Sequence, residues 1–422
     1  MPRDVPSTSE HRGPAQPEAG RRRPALVCAF PRARAVALPD SGTVVGRAWL
    51  AEHGLADTEV SSGHVRVDRA GGALRVADAG SRNGTWVNGS RLAPRDLTPL
   101  EDGAVLRLGR TLFVFREELL GSFEPAPPVG GLVGPYGLRA VAGPLSGLAR
   151  GRPANVLIEG ETGVGKELVA RAAAAALGRA APFAAVNVAG VAASVFESQM
   201  FGHVAGAFSG AQQRAPGIVV AHDGGTLFLD EIGELSLELQ AKLLRLLENR
   251  EVLPVGAPRP VQVDVLVVAA TNRSLEEMME RGAFRRDLFA RLATARIHVP
   301  ALRERCEDVF SLAGELARRA GGAIEAADVE VEAMERLLLE PWPGNVRELA
   351  AVLAAVRRVD PEPGLRLWAL EEVLGEARGH RPALTQETVD AAVDAAGGNV
   401  TAAAEKLGVS RGKLLRFRRR AK

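Results

Sequence analysis

Hydrophobic positions follow three different patterns along this chain of 422 residues. The first pattern, from about residue 23 to residue 118, consists of short runs that alternate apolar and polar residues between glycine turns. His64–Asp68 and Ala73–Val76, on either side of Gly71 and Gly72, are one such pair. Alternation with a period of two is typical of half-buried strands. Short strands joined by tight turns predict a β-sandwich in this part of the chain.

The second pattern, from residue 131 to residue 299, alternates apolar runs with amphipathic stretches. Three apolar runs predict buried strands, namely Asn155–Ile158, Thr226–Leu229 and Val263–Ala270. Two longer stretches predict helices, namely Glu167–Leu177 and Leu237–Asn249, the second with Ser236 as its N-cap. This alternation predicts a parallel sheet covered on both faces. The strand pattern stops after Pro300, which predicts a helical subdomain.

Segments rich in proline and glycine mark the predicted domain boundaries. Gly121–Gly134 contains three prolines and four glycines, and a shorter segment follows residue 376. The prediction is multidomain: a disordered leader (1–22), a β-sandwich (23–118), a linker (119–130), an α/β subdomain (131–299), a helical subdomain (300–376), a linker (377–383) and an all-α module (384–422). The leader has no apolar core of the kind that a secretory signal needs.

Charge is nearly balanced over the whole chain but not along it. The formal net charge is only +2, yet residues 410–422 contain seven basic residues and no acidic one. Such a basic end predicts a local electrostatic footprint for nucleic acid, with a solvated tail as the alternative.

Cysteine use and hydropathy point to one compartment. Cys28 and Cys306 fall in different predicted domains, which predicts two buried thiols rather than a disulfide. Free thiols fit a reducing cytosol. No run approaches the roughly 18 apolar residues of a membrane span. We therefore expect a cytoplasmic protein without a membrane segment.

A glycine loop between a predicted strand and a predicted helix has phosphate-loop spacing. Its backbone N–H groups and the following helix N-terminus favour bound phosphate, and Lys166 bridges the β- and γ-phosphates. This predicts ATP with Mg²⁺ as the ligand. The candidate nucleotide-binding residues here are Gly160, Glu161, Thr162, Gly163, Val164, Gly165, Lys166 and Glu167.

Two carboxylates end the predicted strand at residues 226–229. Asp230 can hold Mg²⁺ through water, and Glu231 can polarise the water that attacks the γ-phosphate. Asn272 follows the next apolar strand, where a side chain can sense that phosphate. The alternative is a pair of exposed acids with no catalytic part.

Arg285 and Arg291 are candidate arginine fingers. An arginine supplied by a neighbouring subunit neutralises charge in the transition state of phosphoryl transfer. If Arg291 acts in this way, activity requires a ring of subunits. The alternative is an ion pair within one helix, between Arg291 and Asp287 at i and i+4.

Together these residues resemble the AAA+ domain of sigma-54-dependent transcriptional activators, from about Gly131 to Glu376. The resemblance implies that Glu167 is the usual residue after the lysine, that Asn187 couples to the catalytic glutamate, and that Arg347, within Pro341–Leu349, reaches the nucleotide. It also implies a homo-oligomeric ring, normally a hexamer.

The resemblance extends to a small loop between the two halves of the ATP site. In the activators this loop touches sigma-54 RNA polymerase, and here it consists of Gly206, Ala207, Phe208, Ser209, Gly210 and Ala211. Phe208, between small residues, is the expected contact. Two departures stand out: Ser209 replaces the usual threonine, and Gly202–Ala205 lacks the usual Glu-Lys pair.

The predicted sandwich resembles the forkhead-associated (FHA) domain over about 95 residues. The matching parts are Gly46-Arg47, Ser61–His64 and Ser81–Gly89. The resemblance implies phosphothreonine binding by Arg47, Ser61, Ser62 and Asn83, although Ser62 stands where a longer polar residue is frequent. Arginine offers a forked cationic donor to phosphate. A sandwich kept only for docking is the alternative.

Glycine-punctuated helices at the C-terminus predict a helix-turn-helix. Gly398–Ala404 and Leu407–Arg411 resemble the Fis-type DNA-binding domain, although Arg418 stands where leucine is usual. The candidate DNA contacts are Ser410, Arg411, Gly412, Lys413 and Arg416. Arginine to guanine is the commonest specific contact in the major groove. A helical hairpin for oligomerisation is the alternative.

These resemblances imply a bacterial activator that binds upstream enhancer DNA, reads a phosphothreonine made by a Ser/Thr kinase, and remodels the sigma-54 closed complex with ATP. Three alternatives remain open at this point. One is a non-hydrolysing, phosphopeptide-regulated DNA-binding protein. Another is an AAA+ remodeller of a different substrate, and the third is a phosphopeptide scaffold.

Overall fold

A computed structural model describes residues 22–70, 73–189 and 192–377, and a few positions between 390 and 403. Ten strands and one short helix form the N-terminal part. They are β1 (Arg22–Phe30), β2 (Arg34–Ala37), β3 (Thr43–Val45), α1 (Arg47–Glu52), β4 (Val65–Ala70), β5 (Ala73–Asp78), β6 (Thr85–Val87), β7 (Ser90–Arg91), β8 (Thr98–Leu100), β9 (Val105–Leu108) and β10 (Thr111–Leu120).

These strands make the predicted β-sandwich. One sheet has the order β2-β1-β10-β9-β6-β7 and the other has the order β3-β4-β5-β8. Cys28, Phe113 and Phe115 from the first sheet meet Val65 and Val76 from the second in one apolar core. The hairpin predicted around Gly71 and Gly72 is confirmed, because β4 and β5 pair in antiparallel register.

The middle of the chain begins with α2 and ends with β19. Its elements are α2 (Arg139–Gly151), β11 (Asn155–Glu159), α3 (Lys166–Ala176), β12 (Phe183–Asn187), α4 (Ala193–Phe201), β13 (Gly202–His203), β14 (Ala215–Pro216), α5 (Ile218–Ala221), β15 (Thr226–Asp230), α6 (Leu237–Asn249), β16 (Glu251–Val252), β17 (Val261–Gln262), β18 (Leu266–Thr271), α7 (Leu275–Glu280), α8 (Arg286–Leu292) and β19 (Arg296–His298).

Five of these strands form a parallel sheet in the order β12-β15-β18-β11-β19. Alternate residues of β11 enter two different apolar cores, one with Val156 and Ile158 and the other with Leu157. The predicted two-sided burial is therefore confirmed. Ser236 caps α6 as predicted, since its hydroxyl accepts a hydrogen bond from the N–H of Leu239.

One strand prediction was wrong at its start. Val263–Ala270 was expected to be strand throughout, but β18 begins only at Leu266. Val263 and Val265 are buried all the same, and the N–H of Asp264 bonds to Asp223 instead of to a neighbouring strand. Apolar burial without ladder hydrogen bonds gives the same sequence pattern as a strand.

Helices follow β19, as predicted. They are α9 (Val309–Arg319), α10 (Val331–Leu338), α11 (Asn345–Val359) and α12 (Leu367–Ala377), with 3-10 turns at Leu302–Asp308 and Ala326–Asp328. Within the described residues beyond 299, an isolated bridge joins Val329 to Leu365. Trp342 is fully buried in the core of this subdomain.

Cys28 and Cys306 are free and buried, as expected, and burial raises the pKa of each thiol to about 12. No helix in the described ranges is long and apolar enough to cross a membrane.

Asp390, Val393 and Ala395 are helical, but the predicted DNA contacts at 410–416 lie outside the described residues.

His64 ties two loops of the sandwich together. Its side chain is fully buried; Nδ1 accepts a hydrogen bond from the N–H of Ser61 at 3.1 Å, and Nε2 lies 3.0 Å from the carbonyl oxygen of Gly84. A buried polar group that loses its partner costs about 1–3 kcal/mol.

We expect His64→Ala to lower the free energy of unfolding by about 1–3 kcal/mol, because it removes the partner of the part-buried N–H of Ser61 and of the buried carbonyl of Gly84. Urea unfolding followed by circular dichroism would measure this change. His298→Ala, an exposed matched control, should change the value by less than about 0.5 kcal/mol. Equal effects of the two substitutions would contradict the bracing role.

Candidate functional site

The carboxyl ends of three neighbouring parallel strands meet at one edge of the central sheet. Gly160 follows β11, Asp230 ends β15 and Asn272 follows β18. The N–H of Gly160 donates to the carbonyl of Thr271, which joins two of these strand ends. Ligands of open α/β sheets bind at this edge. The predicted phosphate loop and the predicted carboxylates therefore share one site.

The phosphate loop has the backbone that its glycines predict. Gly163 has φ +83°, and a Cβ atom added there would lie 2.3 Å from the carbonyl oxygen of Gly344 in the helical subdomain. Only glycine fits this combination of conformation and close approach. The loop thus permits direct contact between the α/β subdomain and the helical subdomain.

Lys166 lies within the loop that precedes it. Its side chain is only 6% exposed, and Nζ donates to the carbonyl oxygens of Gly160 at 2.9 Å and Glu161 at 3.2 Å. Burial lowers the pKa of Lys166, and the nearby carboxylates of Glu231 and Asp230 oppose that shift. The lysine and both candidate carboxylates are therefore close enough to interact electrostatically.

Glu231 has a left-handed backbone conformation with φ +58°, which is uncommon for a residue with a side chain. Its N–H donates to Oδ1 of Asp230 at 3.0 Å, so the backbone turns directly after β15. Strained backbone of this kind concentrates at functional sites. Asp230 thus ends the strand, whereas Glu231 begins the turn that follows it.

Two predicted polar side chains flank these carboxylates. Asn272 donates from Nδ2 to Oγ1 of Thr162 at 3.0 Å, which connects it to the phosphate loop. Asn187 is the register partner of Asp230 on the adjacent strand β12. Its Oδ1 accepts the N–H of Ala189, which orients the side chain locally. Both asparagines therefore lie at the same sheet edge as the carboxylates.

Asn345 is a site residue that the sequence analysis missed. Its fully buried amide donates to Glu161 Oε2 at 3.0 Å and to the carbonyl of Thr162 at 3.1 Å, while Oδ1 accepts the N–H of Leu302 at 2.7 Å. It lies in Pro341–Leu349 beside the predicted Arg347, so the motif contained the signal.

Arg303 is a second missed residue. Its guanidinium binds both carboxylate oxygens of Glu161, at 2.8 and 2.6 Å. Hydrogen bonds from Arg303 and then Asn345 lower the pKa of Glu161 to about 2. The predicted Arg347 influences Lys166 electrostatically from α11. Three side chains of the helical subdomain therefore face the phosphate loop.

The two candidate arginine fingers lie at α8 and have different partners. Arg285 binds both oxygens of Asp287, at 3.0 and 2.7 Å. Arg291 donates to Glu248 of α6 at 3.3 Å and is more exposed. The alternative pairing of Arg291 with Asp287 is wrong, because Arg285 occupies that carboxylate. Arg291 is thus the less constrained of the two.

The Gly206–Ala211 loop projects from the base formed by β13 and β14. The N–H of Gly206 donates to the carbonyl of Ala211 at 2.8 Å, which closes the loop. Phe208 is 47% exposed, and its ring contacts His203 edge-on at a centroid distance of 5.1 Å. Phe208 therefore presents an exposed aromatic surface on this loop.

The predicted phosphothreonine residues lie on two loops and at the start of α1, in segments that contact each other. Arg47 donates from Nε to the carbonyl of Val60 at 3.0 Å, and the Ser61 hydroxyl accepts the N–H of Arg82 at 3.1 Å. Asn83 donates from Nδ2 to the carbonyl of Glu59 at 2.8 Å. Arg47, Ser62 and Asn83 are exposed. These residues form one polar surface around residues 58–62.

Gly46 allows this close packing. A Cβ atom added to Gly46 would lie 1.9 Å from the carbonyl oxygen of Ser62, so a larger residue would push the loops apart. The neighbouring N–H of Arg47 donates to the carbonyl of Ser61. The small size of Gly46 and the N–H of Arg47 therefore hold Arg47 close to the loop that carries Ser61 and Ser62.

Comparison with known families gives three matches in chain order. Residues 43–109 match the FHA domain, residues 144–298 the sigma-54 interaction domain, and residues 303–387 the AAA+ ATPase lid domain. The sigma-54 interaction match covers the sheet edge and the Gly206–Ala211 loop, and the lid match covers the helices that contact the sheet edge. The FHA match covers the polar loops of the sandwich.

Curated relatives include two regulators. The chain is 47% identical to the regulatory protein LuxO of Vibrio cholerae, over 56% of this chain and 45% of that protein. It is 42% identical to the transcriptional regulatory protein ZraR of Escherichia coli, over 62% of each. The chain thus spans less than two thirds of the length of either regulator.

A solved structure agrees with this relationship. NtrX from Brucella abortus, solved in complex with ATP, superposes with a TM-score of 0.51 at 33% identity over 68% of each chain. The family matches and this shared fold both indicate an AAA+ ATPase-type region in the chain. The chain therefore belongs to the family of transcriptional regulators built on the sigma-54 interaction domain, with an FHA domain before it and an AAA+ lid domain after it.

Proposed function

We propose that the chain is a transcriptional activator that hydrolyses ATP to remodel the closed complex of sigma-54 RNA polymerase. The observation that carries this proposal is the exposed Phe208 on a closed loop of the same subdomain that holds the phosphate loop. A solvent-exposed aromatic residue is a strong candidate for a protein contact. The sigma-54 interaction domain provides the expected partner.

Nucleotide chemistry would take place at the sheet edge. Lys166 would neutralise the β- and γ-phosphates, Glu231 would orient the attacking water, and Asn272 would detect the γ-phosphate. Asn187, paired in register with Asp230, would connect strand β12 to that edge. ATP bound to NtrX, which shares this fold, supports ATP as the ligand.

Asp230 fits a role as the Mg²⁺ residue. Carboxylate oxygens are preferred magnesium ligands, and magnesium usually keeps several waters when it binds phosphates. Glu167 follows Lys166 but forms an ion pair with Arg171 at 2.8 Å on α3. Asp230 would therefore hold the ion through water, and the ion would supply charge neutralisation at the phosphates.

Short connections join the Gly206–Ala211 loop to the segment 253–256. His203 of β13 bridges to Val255, and the N–H of Val204 donates to the Val255 carbonyl at 3.1 Å. Gly256 approaches Ala207 so closely that an added Cβ would lie 3.0 Å from the Ala207 Cβ. The Gly206–Ala211 loop would therefore move with the 253–256 segment.

The flanking domains would supply regulation and location. The FHA domain would bind a phosphothreonine protein through Arg47, Ser61, Ser62 and Asn83. The C-terminal module would bind enhancer DNA through residues 410–416, and subunits would assemble into a hexameric ring. Other AAA+ substrates remain the second candidate, because Ser209 lacks the methyl group of the usual threonine.

We expect Glu231→Gln to reduce ATP turnover by about 10²–10⁴-fold, because the attacking water loses its base. Phe208→Ala should keep turnover and lose the retention of sigma-54 in the presence of a transition-state mimic of ATP. Both quantities are measured on the same preparations. Leu237→Ala, which truncates another exposed apolar side chain, should retain both.

Three other results would each contradict part of this proposal. Turnover without sigma-54 retention in the wild type would favour a remodeller of another substrate. Absence of turnover at high protein concentration would favour a phosphopeptide-regulated DNA-binding protein. Retention that survives Phe208→Ala would remove the loop from the contact.

We expect Arg291→Ala to lower turnover by about a thousandfold or more, because a finger acts on a neighbour's nucleotide. Lys166→Ala should be equally inactive, yet mixing the two variants should recover activity where an intact finger meets an intact site. Arg281→Ala, at an exposed arginine directly after α7, is the matched control and should be active. Mixed assemblies of confirmed size without recovered turnover would contradict a finger in trans.

We expect Arg47→Ala to weaken binding of a degenerate phosphothreonine peptide library about ten- to a hundredfold, since it removes a contact of about 1.5–3 kcal/mol to the charged phosphate. Asn83→Ala should weaken binding up to about tenfold, since it removes a hydrogen bond of about 0.5–1.5 kcal/mol to the peptide backbone. Fluorescence anisotropy measures the affinity, with unphosphorylated peptides for comparison. Arg66→Ala, an exposed arginine on β4, should bind like the wild type. Unchanged binding in both variants would contradict this site.

A further inference from the structure

Strand β9 and residues 111–115 of β10 are buried on both faces of their sheet. In β10, Phe113 and Phe115 enter the sandwich core, whereas Leu112 and Val114 belong to the apolar core of the helical subdomain, which we call the lid. Phe30 of β1 contacts Phe310 of α9 edge-on, with ring centroids 5.1 Å apart. An antiparallel sheet with one solvated face would carry polar residues there. This sandwich therefore uses its outer face to pack on the lid.

Three arginines surround that apolar contact. Arg107 pairs with Glu332 at 2.7 Å and with Glu335 at 3.2 Å, both on α10. Arg110 donates to the carbonyl of Val329 at 3.0 Å. Arg116 forms an ion pair with Glu307 and donates to the carbonyl of Glu304 at 2.9 Å. We name the outward residues of this hairpin the docking face: Val105, Arg107, Arg110, Leu112, Val114 and Arg116.

The sandwich also bonds to the α/β subdomain, through the only tyrosine in the chain. The hydroxyl of Tyr136 accepts the N–H of Ala35 on β2 at 2.7 Å and donates to the carbonyl of Phe123 at 3.0 Å. The N–H groups of Tyr136 and Gly137 donate to the buried carboxylate of Asp308, at 3.1 and 3.0 Å. Tyr136 thus joins the sandwich to the start of the lid.

This junction continues to the phosphate loop. Arg305 lies in the same 3-10 turn as Asp308, is fully buried, and donates from Nη2 to the carbonyl of Val164 at 3.2 Å. Val164 is part of the phosphate loop. The turn at Leu302–Asp308, which we call the hinge, is also the covalent connection between the α/β subdomain and the lid. The sandwich therefore contacts the α/β subdomain, the lid and the hinge between them.

A body that is bonded to both sides of a hinge resists motion of that hinge. Nucleotide enzymes depend on lid movement for turnover and product release. We propose, on the basis of the proposed ATPase function, that the FHA domain is an intramolecular clamp: its docking face and Tyr136 hold the lid against the α/β subdomain and slow ATP turnover. Release of the docking face frees the lid and raises turnover.

Two substitutions test the clamp from opposite sides of the hinge in the full chain. Tyr136→Phe removes one hydroxyl and leaves the packing, whereas Glu332→Arg places a cation against Arg107 at a side chain that is 53% exposed. Each should raise ATP turnover by about fivefold or more, the lower end of usual coupling between sites. Each should also speed hydrogen exchange at residues 302–309.

Glu362→Arg is the matched control, because it reverses an exposed charge on the same lid away from the docking face. It should change neither turnover nor exchange. Faster exchange in the two test variants with equal or lower turnover would overturn the clamp. Absence of turnover in every chain, wild type included, would instead refute the proposed ATPase, and the exchange data would still report whether docking was lost.

Discussion

The position of the lid depends on one buried amide. Asn345 makes three hydrogen bonds, to Glu161, to the Thr162 carbonyl and to the Leu302 N–H, and so joins α11 to the phosphate loop and to the hinge at once. A buried amide with unsatisfied groups is costly, which makes this arrangement strongly preferred over alternatives. The lid in turn carries the surface on which the FHA sheet packs, so the same contact fixes the orientation of both flanking parts.

Motif residues were predictable from the sequence because their chemistry constrains both spacing and neighbours. Gly160–Lys166 required a preceding strand and a following helix, and Asp230 required an apolar strand of its own; the structure has each of these elements. Arg303 and Asn345 were not predicted, although in the structure both bind Glu161, a recognised residue of the phosphate loop. Their partners, Glu161 and Thr162, are about 140 to 185 residues away in the chain, and no local pattern specifies such a pairing.

The sequence of β10 indicates that the docking face is buried, but periodicity alone could not identify what it packs against. Thr111–Phe115 has a continuous apolar run where a half-exposed strand would alternate, and the structure buries this run on both faces. A continuous run indicates two-sided burial but does not name what covers the second side. The opposite error occurred at Val263, which is buried in the apolar core that also holds α6 and β15 residues but lies before the start of β18.

The hinge buries charged groups where apolar side chains would cost less to bury. Burial raises the pKa of the Asp308 carboxyl and lowers that of the Arg305 guanidinium, and each opposes the shift of the other. Their hydrogen bonds to Gly137 and Val164 compensate part of this cost. Hydrogen bonds are directional whereas apolar contacts are not. A purely apolar hinge could pack in several orientations, but these two side chains accept one arrangement of the linker segment, the hinge and the phosphate loop.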